Sequence, residues 1–489
     1  MRTETNLKQA NPGAVGLSIL CAVALFGCAA GPDFREPAAI PDKTYTPTPQ
    51  PSETAKAEGI GGAAQKLTEV ESIGGAWWRE FGSPELDRLV QQALEDSPTL
   101  AQARMRLEQA REDHQAQAGS LWPQVGLTLN DTRQKPTVTT PGVSSAPGNS
   151  TSQPFTLYQA NVNVSYSLDL FGANRRALEG LAAQVAYQQY ELEAARLTLA
   201  GNVVTSAVRR ASLAAQIDLS ERILAAQARQ LEIAELRYRS GAIAESDLLS
   251  QHSQLEQTRA GIAPLRTQLA QAEHQLAVYL GRTPAQGTGG APNLDALALP
   301  TNLPLTLPST LARNRPDIRA SEALLHQASA NVGVATANLY PQLTLTGSSG
   351  LEGLKLSKLL NVWSIGATLA QPIFQGGALR ARQRSAQDAY EAAAASYRQT
   401  VLQGLQQVAD TLRALEQDAV ELASRDRAQR DAEAAARLAR RRYEAGGLSQ
   451  LALLDVQRQE LQTALDRTRV HAQRLADSAA FYQALGAKP

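Results

Sequence analysis

Residues 158–168 read "YQANVNVSYSL". Tyr158, Ala160, Val162, Val164, Tyr166 and Leu168 take every second position, and Gln159, Asn161, Asn163, Ser165 and Ser167 fill the gaps. A period of two sends successive side chains to opposite faces, so the stretch predicts a β-strand with one apolar and one polar side. Residues 363–369 repeat the pattern: Trp363, Ile365, Ala367 and Leu369 alternate with Ser364, Gly366 and Thr368. Segments near 124 and 342 supply partners, and in the second Leu343 and Leu345 alternate with threonines. The chain therefore predicts four strands, at residues 124–131, 156–169, 342–348 and 362–371. The run "GSSG" at 347–350 reads as a loop.

A soluble sheet packed on one face shows the same alternation. Two local details point to lipid instead. The strands approach the roughly 9–11 residues that cross a bilayer. Aromatic residues also gather at their ends: Trp122, Phe155, Tyr158, Phe171, Tyr340 and Phe374. Four strands cannot close a barrel, and open edges in hydrocarbon leave unpaired N–H and C=O groups at several kcal/mol each. A membrane sheet of this size predicts that several copies share one barrel.

The N-terminus supplies an address. Arg2 and Lys8 precede an apolar run, Ala14 to Phe26, of about a dozen residues, too short for a spanning helix of about 20. This reads as a secretory signal, residues 1–27. Of the two cysteines, Cys21 lies inside it and Cys28 follows it, so the mature chain has no thiol pair. From 28 to 76, Pro32, Pro37, Pro41, Pro47, Pro49 and Pro51 predict an extended, poorly packed leash.

The rest of the chain is a tandem repeat. "SLWPQVGLTL" (120–129) returns as "NLYPQLTLTG" (338–347), and Pro98 and Pro123 match Pro316 and Pro341 at one shared offset. "LDLFGANRRA" (168–177) answers "QPIFQGGALRA" (371–381), and "LRYRSGAIAESDLL" (236–249) answers "RRYEAGGLSQLALL" (441–454). Each half, 77–281 and 316–489, reads as helix, strand, loop, strand, very long helix, tight turn and long helix. The connection at 282–315 is rich in Pro and Gly and reads as irregular.

No proline lies between Pro154 and Pro264, so Asn174 to Arg239 can run as one helix of about 100 Å. Large apolar residues recur at sevens: Leu248, Leu255, Ile262, Leu269, Leu276; Ile217, Leu224, Leu231, Tyr238; Val401, Val408, Leu415, Leu422. Such heptads predict side-by-side coiled-coil packing. Tyr238-x-x-Gly241 and Tyr443-x-x-Gly446 mark the reversals, where glycine stops a helix in the left-handed conformation.

Lys+Arg and Asp+Glu both number 47, giving no electrostatic case for nucleic acid. The five histidines, His114, His252, His274, His326 and His471, are scattered and belong to no metal, phosphate or nucleophile motif. The residues thus predict no enzyme and no cofactor. The surviving alternative is a periplasmic coiled-coil adaptor or structural lipoprotein, which needs neither the strands nor the tandem halves.

Leu25-Phe26-Gly27-Cys28 resembles the lipobox of bacterial lipoproteins. That resemblance implies a diacylglycerol on Cys28, cleavage before it, acylation (palmitate) of the new amino terminus, and, with Ala29 following, transport to the outer membrane. Four motifs in order resemble the TolC-type outer-membrane efflux ducts, in their lipoprotein branch related to OprM and NodT: "GCAAGPDFREP", "WWREFGSPELDRLVQQALEDSPTL" (77–100), "LPSTLARNRPDIRASEALL" (307–325) and "YEAGGLSQLALLDVQRQEL" (443–461). The resemblance implies a mainly α chain with membrane β-structure. It implies a homotrimer whose twelve strands form a β-barrel continued by a twelve-helix α-barrel through the periplasm. It also implies a periplasmic adaptor (membrane fusion protein) docked at the turns around Tyr238, Gly241, Tyr443 and Gly446, a proton-driven inner-membrane pump, and passive multidrug export. Carried over by position, the inner constriction includes Asp247, Tyr443 and Asp455. Leu448 and Ala452 stand where relatives carry charge, which implies an apolar ring at Leu448 that gates by dewetting.

Overall fold

The computed structural model describes residues 29–38, 40–48, 50–70, 74–135 and 154–487. The signal peptide at 1–27 and Cys28 lie outside the described residues. In chain order the first half holds β1 (Lys66–Glu69), α1 (Pro84–Asp96), α2 (Pro98–Gly119), β2 (Gln124–Gln134), β3 (Phe155–Leu168), α3 (Ala173–Arg239) and α4 (Glu245–Tyr279). The second holds β4 (Asn302–Leu305), α5 (Pro308–Asn314), α6 (Pro316–Ala337), β5 (Gln342–Lys355), β6 (Lys358–Ala370), α7 (Ala378–Glu444) and α8 (Gln450–Ala484). The repeat is visible in lengths: α3 and α7 each span 67 residues, and α4 and α8 each span 35. The chain divides into two units, Met1–Glu36, Glu108–Ala186 and Glu322–Ala395 against Pro37–Leu107, Tyr187–Ser321 and Ser396–Pro489.

The first unit carries an antiparallel sheet in the order β2-β3-β5-β6. The two repeats meet at its centre, where β3 pairs with β5 from Tyr158↔Gly353 to Leu168↔Leu343. The second-half strands outrun the alternation that announced them. β5 continues through 347–350 to Lys355, so the GSSG run is strand rather than loop, and β6 starts at Lys358 rather than 362. The pairing with β3 and β6 carries the strand through the glycines, which the close backbones require: a Cβ at Gly350 would collide with the Ala160 carbonyl, and one at Gly353 with that of Lys358. Among the described residues no helix is long and apolar enough to cross a membrane.

The second unit holds the aromatic core. Trp77, Trp78 and Phe81 are buried on one 3₁₀ turn, and Trp77 stacks on Tyr482 at 5.2 Å and 14°. Ser83 caps α1, its Oγ accepting from the Leu86 N–H at 3.3 Å ahead of a proline first turn. Most of the seven-residue stripes are buried: Val401, Val408, Leu415 and Leu422 on α7, Ile217 and Leu231 on α3, and Leu255, Ile262 and Leu276 on α4, whereas Leu224, Leu248 and Leu269 are half-buried and Tyr238 is exposed. Pro264 is tolerated inside α4 on its exposed side.

Two sequence expectations are corrected in this unit. The segment after Pro37 is not a loose leash. Buried Arg474 on α8 donates Nη1 to the Gly61 carbonyl at 2.7 Å and Nη2 to the Ala63 carbonyl at 2.9 Å. Arg467 donates to the Ile60 carbonyl at 2.6 Å, and Gln65 to Ser478 Oγ at 2.9 Å. Extended backbone cannot satisfy itself, and here distant side chains do it instead. Nor is 282–315 wholly irregular: β4 pairs in parallel with β1, α5 follows, and Leu303 and Leu311 are buried. Each strand supplies what the other lacks, so neither pattern was legible alone.

Candidate functional site

Directly opposed residues of an antiparallel pair share a face, so the register sorts the side chains of the whole sheet. Val125↔Val164, Leu127↔Val162 and Leu129↔Ala160 join β2 to β3. Val164↔Gly347, Tyr166↔Leu345 and Leu168↔Leu343 carry the same face to β5, and Gly347↔Ile365, Ser349↔Trp363 and Leu343↔Leu369 carry it to β6. This face is largely apolar from one edge to the other, with Ser349 within it and Asp131 and Arg133 at one end of β2. Its side chains stand open: Ile365 is 84% exposed, Trp363 73% and Leu129 72%. The opposite face presents Thr128, Asn163, Thr346, Ser348 and Ser364 and is knit by its own hydrogen bonds. Asn163 Nδ2 donates to Thr128 Oγ1 at 2.9 Å, and the Ser348 and Ser364 hydroxyls pair at 2.8 Å.

An apolar face this large left open marks contact with lipid or another apolar surface. Within one chain β2 and β6 are edges, each with a row of unpaired backbone groups.

The second feature is the pair of helix turns, which lie in the second unit. Gly241 (φ +77°) ends the helix run of α3, with Gly241 N–H on the Tyr238 carbonyl at 2.9 Å and Ala242 N–H on the Arg237 carbonyl at 2.8 Å. Gly446 (φ +76°) repeats this for α7, with bonds of 3.0 Å to Tyr443 and 2.8 Å from Gly447 to Arg442. Both are Schellman closures, which need a residue free to adopt positive φ. Tyr443 meets Arg237: Nη1 donates to the Tyr443 hydroxyl at 2.9 Å, and the guanidinium lies 5.3 Å from the ring centroid. Asp247 is half-buried in the first turn of α4, and Leu448 is half-buried in the second turn. Asp455 is exposed and pairs locally with Arg458 at 3.2 Å rather than with Tyr443. Tyr238 is 40% exposed. Sequence reasoning missed Arg237, whose partner lies 206 residues away.

A two-faced sheet with open edges, on a chain that also carries two pairs of very long helices, fits a subunit of an outer-membrane channel. The comparisons agree. The model for the outer membrane efflux protein family matches residues 89–282 and 307–487. The chain is 30% identical over 412 residues to the pyoverdine export outer membrane protein OpmQ of Pseudomonas putida, covering 84% of this chain and 87% of that one. It is 28% identical over 480 residues to the toluene efflux pump outer membrane protein TtgI of Pseudomonas putida, covering 96% and 97%. Its fold matches the outer-membrane channel OprN with a TM-score of 0.82 at 29% identity, covering 94% and 99%. The chain belongs to the outer membrane efflux protein family. It is an outer-membrane exit duct of a tripartite efflux system, of the TolC type that combines a β-barrel with an α-barrel. Channels of this family form trimers and act with periplasmic adaptors and inner-membrane pumps.

Proposed function

We propose that three copies of this chain pair edge to edge, β6 of one against β2 of the next, and so close a twelve-stranded barrel. The apolar face meets lipid and the hydroxyl- and amide-lined face encloses water. One observation carries this: a face that stays largely apolar across all four strands and their three registers, between two edges that one chain cannot satisfy. Cys28 carries the acyl anchor, and the outer-membrane address follows from it. The turns at Tyr238–Gly241 and Tyr443–Gly446 receive the adaptor, and the pump beyond it is proton-driven. Tyr443, Leu448, Asp247 and Asp455 form the inner constriction. Relatives named for pyoverdine export and for toluene efflux match at nearly equal identity, 30% and 28%, although those cargoes are chemically unlike. That supports a passive duct whose cargo is chosen by the pump.

The test is fractionation followed by unheated gel electrophoresis of the Cys28→Ser protein. A channel stays in the outer-membrane fraction as an oligomer without its lipid. A tethered adaptor or structural lipoprotein is released to the soluble fraction as a monomer, which would overturn the proposal.

A further inference from the structure

We infer that residues 29–34 occupy a built receptor site within the first unit, one that fixes where the acyl chains enter the membrane. The inference rests on the reading of Cys28 as the acylated residue. Arg176 forms the centre of the site. Its side chain is only 7% exposed, and its donors are spent on three groups: Nε on the Ala30 carbonyl at 3.3 Å, Nη2 on Asp33 Oδ1 at 2.6 Å and Nη1 on Glu179 Oε2 at 2.7 Å. The other oxygen of Glu179 meets His326 Nε2 at 2.9 Å, and the His326 ring stacks on Phe34 at 4.3 Å and 13°. The Ala30 N–H donates to the Phe171 carbonyl at 2.9 Å, and Phe171 stacks on Tyr340 at 4.7 Å.

Backbone fit completes the cradle. A Cβ at Gly31 would lie 2.5 Å from Gly333 Cα, and one at Gly172 would lie 2.8 Å from Ala29 Cβ. The segment is therefore gripped at both ends of Ala29-Ala30-Gly31, one residue from Cys28. The tandem repeat provides an internal control. At the matching junction of the second half, Phe374 is 87% exposed, Gly376 and Gly377 face open space, and Gln383 stands in place of a carboxylate three residues after exposed Arg380. A strand-to-helix junction does not need this cradle, but a chain with one anchor needs it once. The site holds the anchor peptide beside the Phe171–Tyr340 pair at the strand ends, where aromatic rings mark the membrane interface. Anchor and sheet then approach the bilayer at one level.

The test compares Arg176→Ala and Gly31→Val in two backgrounds, the native chain and Cys28→Ser. Mass spectrometry first establishes the acyl group on Cys28. Hydrogen exchange of residues 29–34 should accelerate roughly tenfold in either variant, in both backgrounds, as a charge-assisted network is lost. Appearance of the oligomer on unheated gels should slow several-fold in the acylated protein and be unaffected in Cys28→Ser, where there is no anchor to place. Equal slowing in both backgrounds would make the cradle a mere folding element and overturn the inference, as would unchanged assembly of the acylated variants. An unmodified Cys28 would instead overturn the acylation reading itself.

Discussion

Arg237 and Tyr443 come from opposite halves of the repeat and meet where the two longest helices end, joined by a 2.9 Å hydrogen bond and a ring-to-guanidinium distance of 5.3 Å. The turns are thus tied to each other as well as capped. A hydrogen bond to a charged group contributes about 1.5–3 kcal/mol, and a partly exposed cation–π contact about 0.5–1 kcal/mol. Tyr443→Phe removes only the first, and Arg237→Ser removes both. Single-channel conductance of the purified trimer in planar bilayers should rise in both variants, more for Arg237→Ser. Unaltered conductance in the two would take this contact out of the gate.

Leu448 is the position where the expected charge is absent. An apolar constriction stays shut by excluding water, and one carboxylate per subunit rehydrates it. Leu448→Asp should raise resting conductance and shift ion selectivity toward cations. If neither changes, Leu448 does not line the constriction.

The two faces of β6 give a paired prediction one residue apart. Ile365 stands on the apolar face and Ser364 on the polar one. An arginine facing lipid near the bilayer midplane costs about 2–4 kcal/mol. Ile365→Arg should therefore sharply reduce oligomer in the outer membrane, whereas Ser364→Arg should assemble normally and alter conductance. Reversed outcomes on unheated gels would invert the assignment of the faces.

Stability should respond to pH through Asp418 on α7. Burial, followed by the neighbouring Asp477 carboxylate, raises its pKa from 3.8 to about 8. Between those values the folded chain keeps a proton that the unfolded chain releases, so this group lowers stability as pH rises through that window. Asp418→Asn stays neutral throughout. Its melting temperature should exceed the native one most near pH 8, and the gap should close toward pH 4. His471 acts with the opposite sign: burial, then the nearby Arg467 charge, lowers its pKa from 6.5 to about 4, and its effect weakens the fold as pH falls through that range. Thermal scans of Asp418→Asn at pH 4.5 and pH 7.5 separate the two. A constant gap would contradict a protonated, half-buried Asp418.

The sheet was legible because alternation is a local signal, and Tyr158 to Leu168 carry eleven positions of it without a break. Its extension through Gly347 to Gly353 was not legible. Glycine and serine show no alternation there, and only the facing backbones of β3 and β6 define the strand. The packing of the proline-rich segment was hidden for a different reason. The carbonyl of Gly61 is satisfied by Arg474, 413 residues along the chain, and nothing in the local composition announces that donor. The turn glycines were readable as helix stops. Arg237 was not readable as a partner of Tyr443, because the arginines in the last turn of α3, Arg237 and Arg239, are ordinarily explained by the helix dipole.

The most direct measurement is disulfide cross-linking of paired cysteines placed on the two open edges, one on β2 at Leu127 and one scanned along β6 from Trp363 to Leu369, in the Cys28→Ser background. If copies close a shared barrel through these edges, oxidation at the matching register yields covalent dimers and trimers on denaturing gels. If every β6 position gives only monomer, the edges do not meet and the account of a barrel completed by identical neighbours is wrong.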